Sequence, residues 1–274
     1  MSIQKPWVKQ AFSAAASTYD EAAVLQYEVA NKLFEMLKKM GVHPQKMLDI
    51  GCGTGRITQE LTNYWSSVVT AIDCASGMID YAKKNHSEAS IDYLYADVED
   101  FIFPLAQYDL VWSNFALQWC VDLKGLFKKI NHSLTGGGIF AFTLPGEHTL
   151  RELKTLWRSM DPYDHVNDFI SADELSSLLK AAGFEIIVFS QQEKIQWHAD
   201  VKSILRALRQ VGVHNTLADR APGLTGKKHW EKLANAYEIY RDTNKGLPVT
   251  YEVYQGVAFS RGSASLAKTL FSSI

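Results

Sequence analysis

The stretch "KMLDIGCGTGRITQELTNYW", residues 46–65, places a short buried segment, a glycine-rich turn and a helix in immediate succession. Gly51, Gly53 and Gly55 permit a tight turn and let a ligand approach the backbone closely. The helix that follows presents its first amides to the same loop, which makes the turn a nucleotide-type site. Few architectures accommodate such a unit. The pattern also repeats: "VVTAID" reads as strand, "SGMIDYAKKNH" as helix, "IDYLYAD" and "YDLVWSN" as strands, "LKGLFKKINHSL" as helix, and "GGIFAFTLP" as strand after the turn "TGGG". Strands alternating with helices predict an α/β fold with a doubly wound, mostly parallel, seven-stranded sheet and helices on both faces.

Upstream, Val24, Tyr27, Val29, Ala30, Leu33, Phe34 and Leu37 fall at helical spacing, and Gly41 with Pro44 closes that helix. Downstream, "TLPGEHTLRELKTLWRSM" predicts a helix entered through Thr149. "SADELSSLLKAAGF" predicts another, with Ser171 as N-cap, Glu174 at the capping-box position and Gly183 beyond its end. "FEIIVFSQQEKIQW" and "LPVTYEVYQGVAFSR" read as long strands separated by a helical stretch. The expected organisation is therefore one domain over 1–261. It has N-terminal helices at about 5–40, a ligand-binding core at about 45–145 and a helical cap at about 199–247 inserted between the last two strands. Residues 262–274 are expected to form a loose tail, with Leu266, Leu270 and Phe271 as its candidates for weak docking.

Composition narrows the function. With 47% hydrophobic and 21% charged residues, the chain has the make-up of a soluble globule, and no run reaches the roughly 18 to 20 apolar residues of a membrane helix. The start "MSIQKPWVKQ" lacks the apolar core of a secretory signal, so a cytoplasmic protein is expected. Cys52, Cys74 and Cys120 form no C-x-x-C pair and are expected to be reduced packing residues, neither disulfides nor zinc ligands. The eight histidines include no H-E-x-x-H pair, so no metal is expected. A net charge of −2 provides no general attraction to nucleic acid.

A dinucleotide fingerprint G-x-G-x-x-G requires glycine at position 56, where this chain has Arg56, and that disfavours NAD. The run "DIGCGTG" instead resembles the D/E-x-G-x-G-x-G motif of class I S-adenosylmethionine-dependent methyltransferases. Asp73 ends the second strand about 20 residues on, the spacing that suits an acceptor for both ribose hydroxyls. The resemblance implies that Asp49 lies near the ammonium end of the cofactor, that Asp97 stands beside the adenine amino group and that Val98 lies against the ring; Asp73 and Asp97 also suit plain caps of the helices that follow. It also places "SNFALQW", with Asn114, beneath the transferred methyl, although Ser113 and Asn114 also suit a plain turn.

Read together, "AFSAAASTYDEAAVLQ", "WSNFALQWC", "FTLPGEHTLREL", "HVNDFISADEL", "LRALRQVGVHN" and "LPVTYEVYQGVAF" resemble, from about Val8 to Arg261, the malonyl-[acyl-carrier protein] O-methyltransferases of biotin synthesis. That resemblance implies methylation of the free carboxylate of a malonyl thioester on an acyl carrier protein. It implies an N-terminal lid from which Tyr19 closes the pocket and either donates to the carboxylate or packs as part of the wall, with Phe12 as packing. Trp119 and Gln118 line the same cavity, or Trp119 is a core residue. His165 and Asn167 form a polar pair near the pocket, and Arg56 lies at the solvent or cofactor edge.

An acidic carrier needs a basic surface. Lys202, Arg206 and Arg209 share one helical face and are the preferred docking residues; Lys124, Lys128 and Lys129, and Lys227 with Lys228, are further clusters. Two alternatives stand beside this reading: a methyltransferase for a free small carboxylic acid of the trans-aconitate kind, and a cofactor-binding module without turnover. Oligomeric state has no signature in the sequence.

Overall fold

A computed structural model describes residues 3–88, 90–160, 165–212 and 227–260, without the side chains of 227–229. Three helices open the chain: α1 (Lys5–Ala15), α2 (Tyr19–Ala22) and α3 (Val24–Lys39). The alternating core follows as β1 (Lys46–Ile50), α4 (Arg56–Trp65), β2 (Val68–Asp73), α5 (Ser76–Asn85), β3 (Ile91–Tyr95), β4 (Tyr108–Asn114), α6 (Leu123–Ser133) and β5 (Leu134–Pro145). Then come α7 (Arg151–Met160), α8 (Ala172–Ala181), β6 (Phe184–His198), α9 (Val201–Gln210), α10 (Lys227–Tyr237) and β7 (Leu247–Ser260).

The seven strands form one sheet in the order β3-β2-β1-β4-β5-β7-β6. The first five pair parallel, and β7 runs antiparallel between β5 and β6. Alternation along each core strand explains the layers. Met47, Val69, Leu110 and Ala141 pack on one face with Leu33, Leu61 and Ile79 of α3, α4 and α5. Their neighbours Leu48, Val111 and Phe140 pack on the other with Leu126 and Ile130 of α6 and Leu175 of α8. Strand order reverses between β1 and β4, so a crevice opens at their carboxyl ends, where doubly wound sheets bind ligands.

Two local expectations change. The helix predicted through Leu134 ends at Ser133, and "TGGG" is part of β5 rather than a turn. Tyr108 pairs with Leu134 and Leu110 with Ile139, so the glycine run absorbs a register irregularity within the strand. At α8 the predicted N-cap forms, with Ser171 accepting from the Glu174 amide at 3.3 Å.

β7 outruns β5. Its residues from Val253 pair with β5, whereas 247–252 pair only with β6. The segment leading into α7 covers the open edge: the Leu150 amide donates to the Thr250 carbonyl (2.7 Å) and the Gly146 amide to the Glu252 carbonyl (2.8 Å). Leu153 and Trp157 of α7, Ile204 of α9, Leu233 of α10 and Val249 of β7 then form a third apolar cluster. No helix among the described residues is long and apolar enough to cross a membrane. The tail from 262 lies outside the described residues.

Candidate active site

The glycine loop is fastened before it is lined. Gly51 and Cys52 donate their amides to the Ile72 carbonyl at 2.8 and 3.1 Å, which joins the loop to the end of β2. Gly51 has φ 74°, and a Cβ there would collide with the Cβ of Ala116. Gly53, at φ 55°, has open space where a Cβ would stand, so its backbone is accessible. Its amide donates to Asp73 Oδ2 (3.0 Å), and the Ala75 amide donates to Asp73 Oδ1 (2.8 Å). Burial raises the Asp73 carboxyl to about 6, against the lowering effect of those amides.

A cleft of about 750 Å³ opens over this loop. Of the sequence-predicted residues, Tyr19, Gly51, Gly53, Asp73, Asp97, Val98, Asn114 and Trp119 line it. Gly55 stands behind the wall as the residue before α4, at φ 81°, close to the Tyr93 hydroxyl. A neighbouring cleft holds Asp49 with Asp20, Thr54 and Arg56. Burial raises the Asp49 carboxyl to about 7; the Thr58 hydroxyl, donating at 2.6 Å, lowers it and nearby Asp73 raises it. Arg56 lies over the Tyr27 ring at 3.7 Å, near Glu60, at the edge of that cleft.

Asn114 ties the N-terminal helices to the sheet. Its amide nitrogen donates to the Gln26 carbonyl (3.2 Å), and its amide oxygen accepts from the Thr143 hydroxyl (2.7 Å). Ser113 is buried and donates to the Ile50 carbonyl at 2.9 Å, a strand-to-strand role. Phe115, with φ 50°, turns the chain sharply so that its ring lines the main cleft and also a third chamber.

That chamber, about 460 Å³, is walled by Gln118, Trp119, Thr149, Leu150, Phe169, Val211 and Tyr251 in addition to Phe12, Tyr19 and Gln26. Tyr19 borders all three cavities. Its hydroxyl has no hydrogen-bond partner among the described residues, and burial raises its pKa, so it is a protonated donor at neutral pH. Phe12 packs on this wall: its ring lies 6.2 Å from Tyr19 and 5.7 Å from Trp119 and lines two of the cavities.

Asp97 is already engaged. Lys5 Nζ reaches both of its oxygens (2.9 and 3.0 Å), Lys9 Nζ reaches Oδ2 (3.2 Å), and the Glu99 amide donates to Oδ1 (3.1 Å). Lys5 also pairs with Glu99, whose carboxylate accepts from the Val121 and Asp122 amides. Burial works to raise the two carboxyls, yet the lysines and amides outweigh it and hold both below the usual range. These pairs fasten α1, with Val8 and Phe12, across the main cleft. Replacing Lys5 and Lys9 with alanine is expected to weaken binding of a nucleoside ligand about three- to tenfold, since partly exposed pairs contribute up to about 1 kcal/mol each. Raising salt to 1 M is expected to weaken the wild type similarly and the variant little, as titration calorimetry would read.

Lys202, Arg206 and Arg209 lie exposed on the outer face of α9, whose buried side carries Val201, Ile204 and Leu208. Val211, just beyond that helix, lines the chamber. Lys124 and Lys128 are exposed on α6, while Lys129 reaches the Glu99 carbonyl. The side chains of Lys227 and Lys228 lie outside the described residues. His165 stacks on Trp157 at 3.8 Å, and neither it nor Asn167 is among the residues lining these cavities. All three cysteines are free and sit on cavity walls rather than in the core alone, because they occupy the loop ends of β1, β2 and β4. Lys5, Phe115 and Tyr251 escape sequence reasoning: no motif marks them, and a positive φ at phenylalanine has no sequence signature.

The donor set suits S-adenosylmethionine. Asp73 is an acceptor at a glycine loop with accessible backbone, Val98 and Met78 supply an apolar wall, and Asp49 supplies an acidic end. Only Asp97 departs from the expected pattern, since its four lone-pair positions are taken.

Residues 48–142 match the family model described as a methyltransferase domain. The chain is 35% identical over 283 residues to the malonyl-[acyl-carrier protein] O-methyltransferase of Gallionella capsiferriformans, covering 98% of this chain and 97% of that one. It is 33% identical to the biotin biosynthesis bifunctional protein BioHC of Cellvibrio japonicus, covering 92% of this chain and 50% of that longer one. Among solved structures, a Bacillus halodurans protein described as a methyltransferase superposes with a TM-score of 0.61 at 13% identity. That likeness covers 84% of this chain and 99% of the other and establishes the shared fold.

Proposed function

This chain belongs to the malonyl-[acyl-carrier protein] O-methyltransferase family, and we propose from that premise that it methylates the free carboxylate of malonyl-acyl carrier protein, using S-adenosylmethionine, on the route to biotin. The observation that carries the reading is the meeting of two cavities at Tyr19: a cleft suited to the cofactor and a chamber suited to a small acyl group.

When bound, the cofactor supplies an electrophilic methyl on a sulfonium. The chain's own residues then have a limited task. A malonyl carboxylate is ionised at neutral pH, as carboxyls near ~4 are, so no strong base is required. Asp73 holds the ribose hydroxyls, Gly51 and Gly53 admit the cofactor to the loop backbone, and Asp49 faces its ammonium. Asn114 holds the floor of the site against α3. Tyr19 donates its hydroxyl to the substrate carboxylate, and Phe12 and Trp119 exclude water around it. Alignment of this kind contributes up to roughly 7–11 kcal/mol in favourable cases, and a dry wall strengthens every polar contact inside it. Asp97 and Glu99 serve as the anchor of the N-terminal cover.

The exposed basic face of α9 receives the acidic carrier, next to the chamber that Val211 lines. Reversing the charges at Lys202, Arg206 and Arg209 to glutamate is expected to raise KM for malonyl-acyl carrier protein about tenfold or more and to flatten its dependence on ionic strength. Affinity for S-adenosylhomocysteine is expected to stay unchanged.

The deciding assay combines purified protein, methyl-labelled cofactor and malonyl-acyl carrier protein, with free malonate and trans-aconitate in parallel. A labelled methyl ester on the carrier is the expected result. Transfer only to a free acid favours the small-acid alternative, and tight cofactor binding without transfer to any of them favours a non-catalytic module.

A further inference from the structure

Among the described residues, no side chain lining the chamber behind Tyr19 carries a charge at neutral pH. Among these residues an anion has only neutral donors to rely on. One candidate is already spent: the Thr149 hydroxyl donates to the Glu252 carbonyl (2.9 Å) and accepts from the Glu252 amide (3.1 Å), while the Gln118 amide nitrogen commits one of its two hydrogens to the Phe115 carbonyl (2.7 Å). Trp119 Nε1 is unpartnered but fully enclosed. Gln26 brings a carboxamide to the wall, and Tyr251 brings a phenol. Tyr251 lines the chamber, and its hydroxyl has no hydrogen-bond partner among the described residues.

We propose that Tyr251 is a second substrate-holding donor, which together with Tyr19 retains the malonyl carboxylate through neutral hydrogen bonds. The assignment rests on the carboxyl methylation proposed above. Tyr251 belongs to the sheet and Tyr19 to the N-terminal cover, so the two side chains line the chamber from different elements.

The Tyr251 position is held from both neighbours. Thr250 donates its amide (3.2 Å) and hydroxyl to buried Glu152. Glu252 is itself buried, and its carboxylate accepts from the His148 amide (3.0 Å), the Tyr254 hydroxyl (3.0 Å) and the Gln191 side chain. Glu152 thus ties β7 to α7, and Glu252 ties it to the segment before α7 and to β6, on either side of one tyrosine. Burial raises the phenol pKa, so the hydroxyl remains a donor throughout the neutral range.

Neutral retention suits the chemistry. A guanidinium binds both carboxylate oxygens at once and draws on the electrons needed for attack. Phenol hydroxyls leave lone pairs free on the oxygen that bonds to carbon. The new O–CH₃ bond forms as the sulfonium C–S bond breaks, its electron pair staying on sulfur, and no proton moves.

Tyr251→Phe removes one unpartnered hydroxyl and is expected to leave the melting temperature unchanged. KM for malonyl-acyl carrier protein is expected to rise about tenfold or more, as for a hydrogen bond to a charged group. S-adenosylhomocysteine affinity by calorimetry is expected to stay within twofold. Kinetic constants within twofold of wild type would overturn the assignment while leaving carboxyl methylation intact. A fall in S-adenosylhomocysteine affinity would overturn it too, by placing the effect in the cofactor cleft. A wild-type enzyme inactive on malonyl-acyl carrier protein would instead remove the reading on which the assignment rests.

Discussion

Asp73→Ala is expected to lower affinity for S-adenosylhomocysteine about a hundredfold in titration calorimetry. Two hydrogen bonds from ribose hydroxyls to an ionised acceptor contribute about 1.5–3 kcal/mol each, and about 1.4 kcal/mol is a factor of ten. The same change releases the Gly53 and Ala75 amides, so the loop loses its internal acceptor as well. Unchanged affinity would show that the ribose does not meet this carboxylate.

The same site makes stability depend on pH, with a definite sign. Burial raises Asp73 to about 6 and Asp49 to about 7, above the ~4 of an unfolded chain. Without ligand, the folded state therefore holds protons that the unfolded state has released. Stability from this source is fully present below pH ~4 and is lost as pH rises through 6 to 7. A ligand that requires both groups ionised restores what was lost. The gain in melting temperature on adding S-adenosylhomocysteine is thus expected to be larger at pH 8 than at pH 5.5, and Asp73→Asn is expected to reduce that difference.

The second large effect lies away from the glycine loop. Glu252 is 1% exposed and serves three donors, so Glu252→Ala leaves a buried amide, a phenol and a carboxamide without their acceptor. A loss of about 3–5 kcal/mol in urea unfolding is expected, since each buried donor left without its acceptor costs about 1–3 kcal/mol and three are left. Glu185→Ala, at an exposed position on β6, is the control and is expected to shift stability by less than about 0.5 kcal/mol. KM for malonyl-acyl carrier protein is also expected to rise in Glu252→Ala, because Tyr251 loses one of its two restraints. Equal stability in both variants would mean that β7 does not depend on this carboxylate.

Much of the core was legible because its information is local. Glycine spacing, the acid about 20 residues downstream and the alternation of strands with helices all arise within single βα units, whose chain geometry leaves little freedom. Asp73 and Gly53 are consequently found hydrogen-bonded at the crevice the topology opens. The "TGGG" segment was misread for a related reason: glycines signal a turn by propensity, and pairing with β4 overrode it.

The substrate side had no such local rule. Lys5 is one lysine among many until the fold of α1 carries it to Asp97, where the two lysines and the Glu99 amide take up the acceptor positions expected to meet adenine. Tyr251 reads as an alternating strand residue until the segment leading into α7 closes the edge of β7 beside the chamber. Local sequence patterns thus specify the sheet, the glycine loop and the acid bonded to it. Only the tertiary structure decided which distant side chains share a wall with Tyr19, since neither periodicity nor propensity encodes contacts between packed elements far apart in the chain.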